Sequence, residues 1–317
     1  MLNKNKFNFV LIFIALIISY YVTLRVDAPN YEDKLDRHNS IITNTIEHPY
    51  KYRVLNPFIT QVYIYIFNLV LPGKASFLVA YAIENFIVFL FLFYSFSKFV
   101  GVWFDDTGVI IASLLFAVLI PISLTGYDTL GDVTTAGLMS LGFYFIVTER
   151  VKYLFPVVII GAFNELQIIL LILFYLGGKK DNLKSGKTWF NTIFLVITFG
   201  LIYIPLYLLR GGVPGTDSTI WLERKDMLFN IYNPNFLLLW LIMIAPLLYF
   251  ALKDLKSKPE FLKRNLFTVL PFFYVLVFFL LARMREIDKA LTIFVILIPL
   301  TLFTLLPSHV KQNKPVV

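Results

Sequence analysis

Apolar positions along this chain do not alternate with polar ones at a helical or strand period. They run unbroken, in blocks of about 18 residues or more, each long enough to cross ~30 Å of hydrocarbon. After an N-terminal block with a basic head (Lys4, Lys6), further blocks lie near 75–99, 107–123, 132–149, 153–176, 189–209, 235–252, 266–282 and 289–306. The stretch 56–72 is different. Its ITQVYIYIFNLV pattern is amphipathic, and it predicts a shorter helix lying in the outer interface.

The block at 153–176 carries Pro156, Gly161 and a polar centre, Asn164-Glu165. It reads either as one broken helix or as a hairpin of two short ones. A ten-span alternative makes 56–72 a full span and 153–176 a single one, which moves Asp128 and Asp132 to the cytoplasmic face. With the hairpin, the Lys-rich loops 177–187 and 253–264 and the basic tail share one face. The excess of Lys and Arg in cytoplasmic loops makes that face the cytoplasm, and the hairpin reading is preferred.

The expectation is therefore an all-α polytopic membrane protein with roughly ten membrane-embedded helices. It forms a single transmembrane domain over 1–317, in the cytoplasmic membrane, with both termini cytoplasmic and no soluble domain. The first outer loop covers 25–56 and the second 210–234.

Composition supports this solvent. Of 317 residues 58% are hydrophobic and only 15% charged, against roughly a quarter in a soluble domain. The net charge of +8 reads as loop anchoring rather than nucleic-acid binding. With no cysteine, disulfides, thiolate metal sites and cysteine nucleophiles are excluded.

Chemistry-bearing residues gather on the outer face. The first loop supplies Asp27, His38, His48, Lys51, Tyr52 and Arg53. TGYDTLGD supplies Asp128 and Asp132, and ARMREIDK supplies Arg283, Arg285, Glu286 and Asp288. Arginine forks grip a phosphate while a carboxylate takes a proton from an incoming hydroxyl. Glu84 lies inside an apolar block, where an acid costs roughly 2.5 kcal/mol or more. His38 and His48 match no metal-ligand spacing, so no metal is predicted and the cofactor is left unknown, a divalent ion being compatible with the composition. Gly211, Gly212 and Gly215 form no phosphate-cradling motif.

The order of these features resembles the membrane module of the GT-C superfamily, the polyprenyl-phosphate-sugar-dependent glycosyltransferases that include protein O-mannosyltransferases and lipid A aminoarabinose transferases. The resemblance rests on an acid at the membrane edge (Asp27), a His-Pro dipeptide (His48-Pro49), a surface helix, a later Asp opening a helix, and a broken hairpin. The signatures YRVLNP, Asn164-Glu165 and REID also look like those of bacterial multi-pass proteins thought to share that fold.

The resemblance implies inverting transfer of a sugar from a polyprenyl-phosphate donor on the extracytoplasmic face. Asp27 would be the catalytic base, and Arg53, Arg283 and Arg285 would hold the phosphate. His48, Tyr52, Asp128, Asp132, Asn164, Glu165 and Glu286 would complete the substrate site. The implied partners are the lipid-linked sugar and membrane lipids. Two other classes stay open: a transporter or flippase using Glu84, Glu165 and the broken hairpin, and a surface-polysaccharide polymerase.

Overall fold

The structure is a computed structural model that describes residues 4–46, 50–124, 126, 129–179, 183–211, 224–276, 279 and 286–311. Among the described residues every regular element is helical, apart from one isolated bridge between Phe104 and Val310. Among the described residues seven helices are long and apolar enough to cross a bilayer, consistent with a polytopic membrane protein. Two shorter apolar segments, Val151–Asn164 and Leu166–Gly178, accompany them.

In chain order the helices are α1 (Lys4–Val22), α2 (Tyr31–Ile42), α3 (Leu55–Phe67), α4 (Gly73–Val100), α5 (Asp106–Ser123), α6 (Leu130–Val147), α7 (Leu154–Asn164) and α8 (Leu170–Gly178). Then follow α9 (Gly186–Leu209), α10 (Arg224–Tyr232), α11 (Pro234–Leu252), α12 (Glu260–Phe267) and α13 (Leu291–Leu305). The expected span 266–282 begins with the end of α12 and a π-helical stretch, Val269–Val275. Part of its remainder lies outside the described residues.

Burial separates centre from rim. The span containing α13 is 89% buried, whereas those of α9 and α11 are 17% buried. α13 is therefore the central post. The outer flank of α9 presents Phe190, Phe194, Ile197, Leu201, Ile204 and Leu208, a face suited to lipid tails. α3 has the same sense: Phe58, Val62, Tyr65 and Ile66 point out, while Asn56 and Thr60 point in.

The stretch 151–178 is a re-entrant hairpin. Its two ends meet, since Lys179 Nζ binds Glu149 Oε1 at 2.6 Å and Gly178 lies against Phe261 and Ile146, near the C-terminus of α6. Its tip reaches the opposite end of α6, where Asn164 Nδ2 donates to the Gly131 carbonyl at 2.8 Å. The tip turns where Glu165 adopts an extended conformation, φ −163° and ψ 145°. A side chain at Gly161 would collide with Ile168, a Cβ there lying 2.3 Å from its Cγ1. Only glycine lets the two limbs close. The single-span alternative for 153–176 is thereby excluded.

The first outer "loop" is largely helix. α1 runs on through a π-helical turn, Thr23–Asp27, and α2 follows after three residues. α2 forms because YEDKLDRHNSII places Lys34, His38 and Ile41 on one buried face, with Glu32 and Asp33 in its first turn. Of the second outer loop, 212–223 lies outside the described residues.

Candidate functional site

Four chain segments far apart in sequence converge at the end of the bundle where the hairpin tip sits. α2 brings Lys34, Arg37, His38 and Ile41, and the turn after it brings Tyr50 and Arg53. α3 brings Asn56 and Pro57, α4 Tyr81, α6 Leu130 and Gly131, and the tip Asn164; together these line one cleft. The cleft is small, about 40 Å³, room for about three waters.

Its wall is cationic and aromatic. The Tyr50 ring lies between two guanidiniums, Arg37 at 3.7 Å and Arg53 at 4.9 Å from its centroid. Lys34 Nζ sits 3.9 Å over the Tyr81 ring. The carboxylates that pair with these cations stand behind the wall. Lys34 bonds Asp27 Oδ1, and Arg53 Nη2 bonds Glu165 Oε1 at 2.7 Å. The cleft wall thus carries one ammonium and two guanidiniums, with Lys34 and Arg53 each paired to a carboxylate.

Beneath it lies a buried ionic cluster. Lys289 Nζ bonds Asp132 Oδ1 and, at 2.6 Å, Glu165 Oε1. Thr135 Oγ1 donates to the other Glu165 oxygen at 3.1 Å. Asn164 Nδ2 also donates to Thr135 Oγ1 at 2.8 Å, and Asn56 Nδ2 donates to Asn164 Oδ1 at 3.1 Å and Thr134 Oγ1 at 3.0 Å. The hairpin tip is thus tied to α3, α6 and the start of the α13 span. Within this group two cations, Arg53 and Lys289, face two carboxylates, Asp132 and Glu165, and the buried Asp288 carboxylate adds a further acid beside Lys289.

Compared with protein-family models, with curated proteins and with solved structures, the chain matches none. The site is therefore read from its own geometry.

Asp27 is only 1% exposed. Its Oδ1 accepts from Lys34 and its Oδ2 from Asn85 Nδ2 at 2.7 Å. Its route to the cleft runs through Lys34. Among the expected substrate residues, Arg53 and Asn164 line the cleft, and Asp132 and Glu165 form the ionic cluster. Tyr52 is buried and does not line the cleft; its ring lies 5.1 Å from that of Tyr207 and 5.9 Å from that of Tyr203 on α9. Glu286 is half-buried, and burial first, against the pull of Lys289 and Arg53, raises its pKa. His48, Asp128, Arg283 and Arg285 lie outside the described residues.

His38 has both ring nitrogens engaged, Nδ1 with Tyr81 Oη at 3.0 Å and Nε2 with Gln61 Oε1 at 2.7 Å. The Gln61 oxygen only accepts, so Nε2 carries the proton and Nδ1 accepts from the Tyr81 hydroxyl. Burial lowers the imidazole pKa, with the Lys34 charge adding to it and the Gln61 bond opposing. His38 is a neutral strut. No cluster of three or more His, Asp or Glu that could hold a metal occurs among the described residues.

Sequence reasoning missed Lys34, Arg37, Tyr81 and Lys289. For the first two a signal existed: Lys34 and His38 are four residues apart, with Arg37 beside them, on a helix whose Leu35 and Ile41 need a packed side. Lys289 opens an apolar span, where a lone ammonium requires a carboxylate partner.

Proposed function

We propose that this chain is a membrane glycosyltransferase of the GT-C type. It moves a sugar from a polyprenyl-phosphate donor to an acceptor hydroxyl at the extracytoplasmic face of the cell membrane. Roughly ten membrane-embedded helices, counting the hairpin, carry the site, and both termini are cytoplasmic.

The observation that carries this reading is the cleft where Lys34, Arg37 and Arg53 meet at one end of the bundle, with Asp27 directly behind Lys34. A lipid phosphate fits that set of donors. Tyr50 and Tyr81 make the cleft aromatic as well as cationic, and Asn56 and Asn164 bring amides to it. Asp27 is the base that takes the acceptor's proton, and Arg53 and Arg37 hold the departing phosphate. A cleft of about 40 Å³ admits the sugar only when its walls part.

A second reading, transport of an anionic solute, draws on a different observation. Glu84 is buried in α4, one helical turn beyond the cleft residue Tyr81, with its Oε2 lacking a hydrogen-bond partner. One experiment separates them. The protein is reconstituted in nanodiscs and given synthetic short-chain polyprenyl-phosphate sugars with simple alcohol acceptors, and release of polyprenyl phosphate is followed. Release that disappears in Asp27→Asn and persists in Glu84→Gln supports transfer. Undiminished release in Asp27→Asn sinks the mechanism. Uptake in proteoliposomes that depends on Glu84 and not on Asp27 assigns the chain to transport.

A further inference from the structure

Lys34 stands alone in one respect: among the cations lining the cleft, it is the one bonded to Asp27. Arg53 is bonded to Glu165, and Arg37 lies on the Tyr50 ring. Lys34 is 6% exposed and reaches Asp27 across one face of Tyr81. Asp27 is fixed from its other side by Asn85, which also donates to Thr23 Oγ1 at 3.2 Å. The carboxylate is therefore held from its other side by an α4 side chain that also engages the Thr23 hydroxyl, and of the two partners the lysine has the longer stem and more rotatable bonds.

Resting on the glycosyl-transfer reading, we propose that Lys34 is a catalytic residue that follows the negative charge from Asp27 to the leaving phosphate. The charge balance of the reaction dictates this. Before transfer, Asp27 is a carboxylate paired with Lys34, and the donor is a phosphodiester with a single negative charge. During transfer the acceptor O–H bond breaks and its proton goes to Asp27. The acceptor oxygen bonds to the anomeric carbon, and the bond from that carbon to the phosphate oxygen breaks, its electron pair staying on phosphate. The carboxylate loses its charge as the phosphate gains one, ending as a monoester of about two charges.

A cation fixed on Asp27 opposes the first change, because the ion pair is lost when the carboxylate takes the proton. A cation fixed on the phosphate leaves the Asp27 carboxylate without its ion-pair partner before the reaction. A lysine able to reach both stabilises the transition state more than either ground state, which is the condition for accelerating the step. Arginine at 34 would carry the same charge in a broader, planar head with less freedom to swing past the Tyr81 ring.

The test uses farnesyl phosphate, a monoester that mimics the leaving product, titrated against the full chain in nanodiscs of phosphatidylcholine. Competition between Asp27 and phosphate for Lys34 makes a counter-intuitive prediction. Asp27→Asn releases Lys34 to the ligand and tightens binding by roughly tenfold, the scale of one charge-assisted hydrogen bond. Lys34→Met weakens binding by roughly tenfold. In Asp27→Asn/Lys34→Met the gain disappears, and the affinity matches Lys34→Met alone. The double variant buries no unpaired charge at this position, so it keeps the comparison available if Lys34→Met alone does not fold. Arg53→Ala weakens binding yet still responds to Asp27→Asn.

Tightening that vanishes without Lys34 supports the proposal. Binding that is unchanged or weakened by Asp27→Asn overturns it and leaves the cleft as a phosphate site. No binding of farnesyl phosphate by any variant overturns both the proposal and the glycosyl-transfer reading beneath it.

Discussion

Replacing Lys289 by methionine removes the ammonium that joins Asp132 to Glu165 and leaves a chain of similar length. Lys289 and Asp132 are both 3% exposed, so water does not take over. Glu165 keeps Arg53 at 2.7 Å and Thr135 at 3.1 Å. Asp132 loses its ion-pair partner. Breaking a buried pair from one side costs about 3–5 kcal/mol. The unfolding entropy of about 2.1 cal/mol/K per residue, over 317 residues, is roughly 0.7 kcal/mol/K. Tm should therefore fall by about 4–7 °C. Adding Asp132→Asn neutralises the orphaned carboxylate and should recover more than half of the loss, while Asp132→Asn alone also destabilises. The assay is thermal unfolding in one detergent, followed by intrinsic tryptophan fluorescence, for the wild type, both single variants and the double. A Lys289→Met variant within about 1 °C of wild type, or a double variant no more stable than Lys289→Met, would falsify the ion-pair argument.

Other expectations follow from single contacts. Gly161→Val places a side chain against Ile168 and should cost roughly 1–3 kcal/mol, read as a lower Tm that Gly161→Val/Ile168→Ala partly restores; an unshifted Gly161→Val would mean the hairpin limbs do not close there. His38 has its folded-state pKa below the ordinary value of 6.5, so below that pH the unfolded chain binds a proton that the folded chain refuses. Stability is then complete above about pH 6.5 and declines in acid, and the decline in Tm between about pH 7.5 and 5.5 should be smaller in His38→Gln; equal slopes count against the buried neutral imidazole flanked by Lys34, Tyr81 and Gln61. Lys258 caps α11 by donating to the Phe250 carbonyl at 2.7 Å and the Ala251 carbonyl at 2.8 Å. Lys258→Met should cost about 2 kcal/mol, measured by the same thermal assay, and no loss would mean that water replaces both bonds.

The solvent of this chain is legible in its sequence because the bilayer imposes a length on each apolar block and a charge on each loop. That is why seven long helices were readable, and why Pro156, Gly161 and the Asn164-Glu165 pair marked a break. The hairpin itself needed the structure. Its evidence is that Glu149 meets Lys179 and that Asn164 reaches Gly131, and neither distance is written in a one-dimensional string.

The site divides in the same way. Arg53, Asp132 and Glu165 stood out because charge is rare in so oily a chain, yet nothing in the sequence joined them. Arg53 meets Glu165 directly, and Asp132 is joined to them through Lys289, 124 residues beyond Glu165, which reads alone as the polar edge of a span. Lys34 and Arg37 look in sequence like solvated charges of the first outer loop, which the structure shows to be largely helix. Tertiary packing turned that helix inward, set Lys34 against Asp27, and gave the cleft its positive wall. Sequence alone determined which residues are too costly to leave unpartnered in a membrane. Only the fold decided their partners, because a pairing energy depends on distances that helix packing creates.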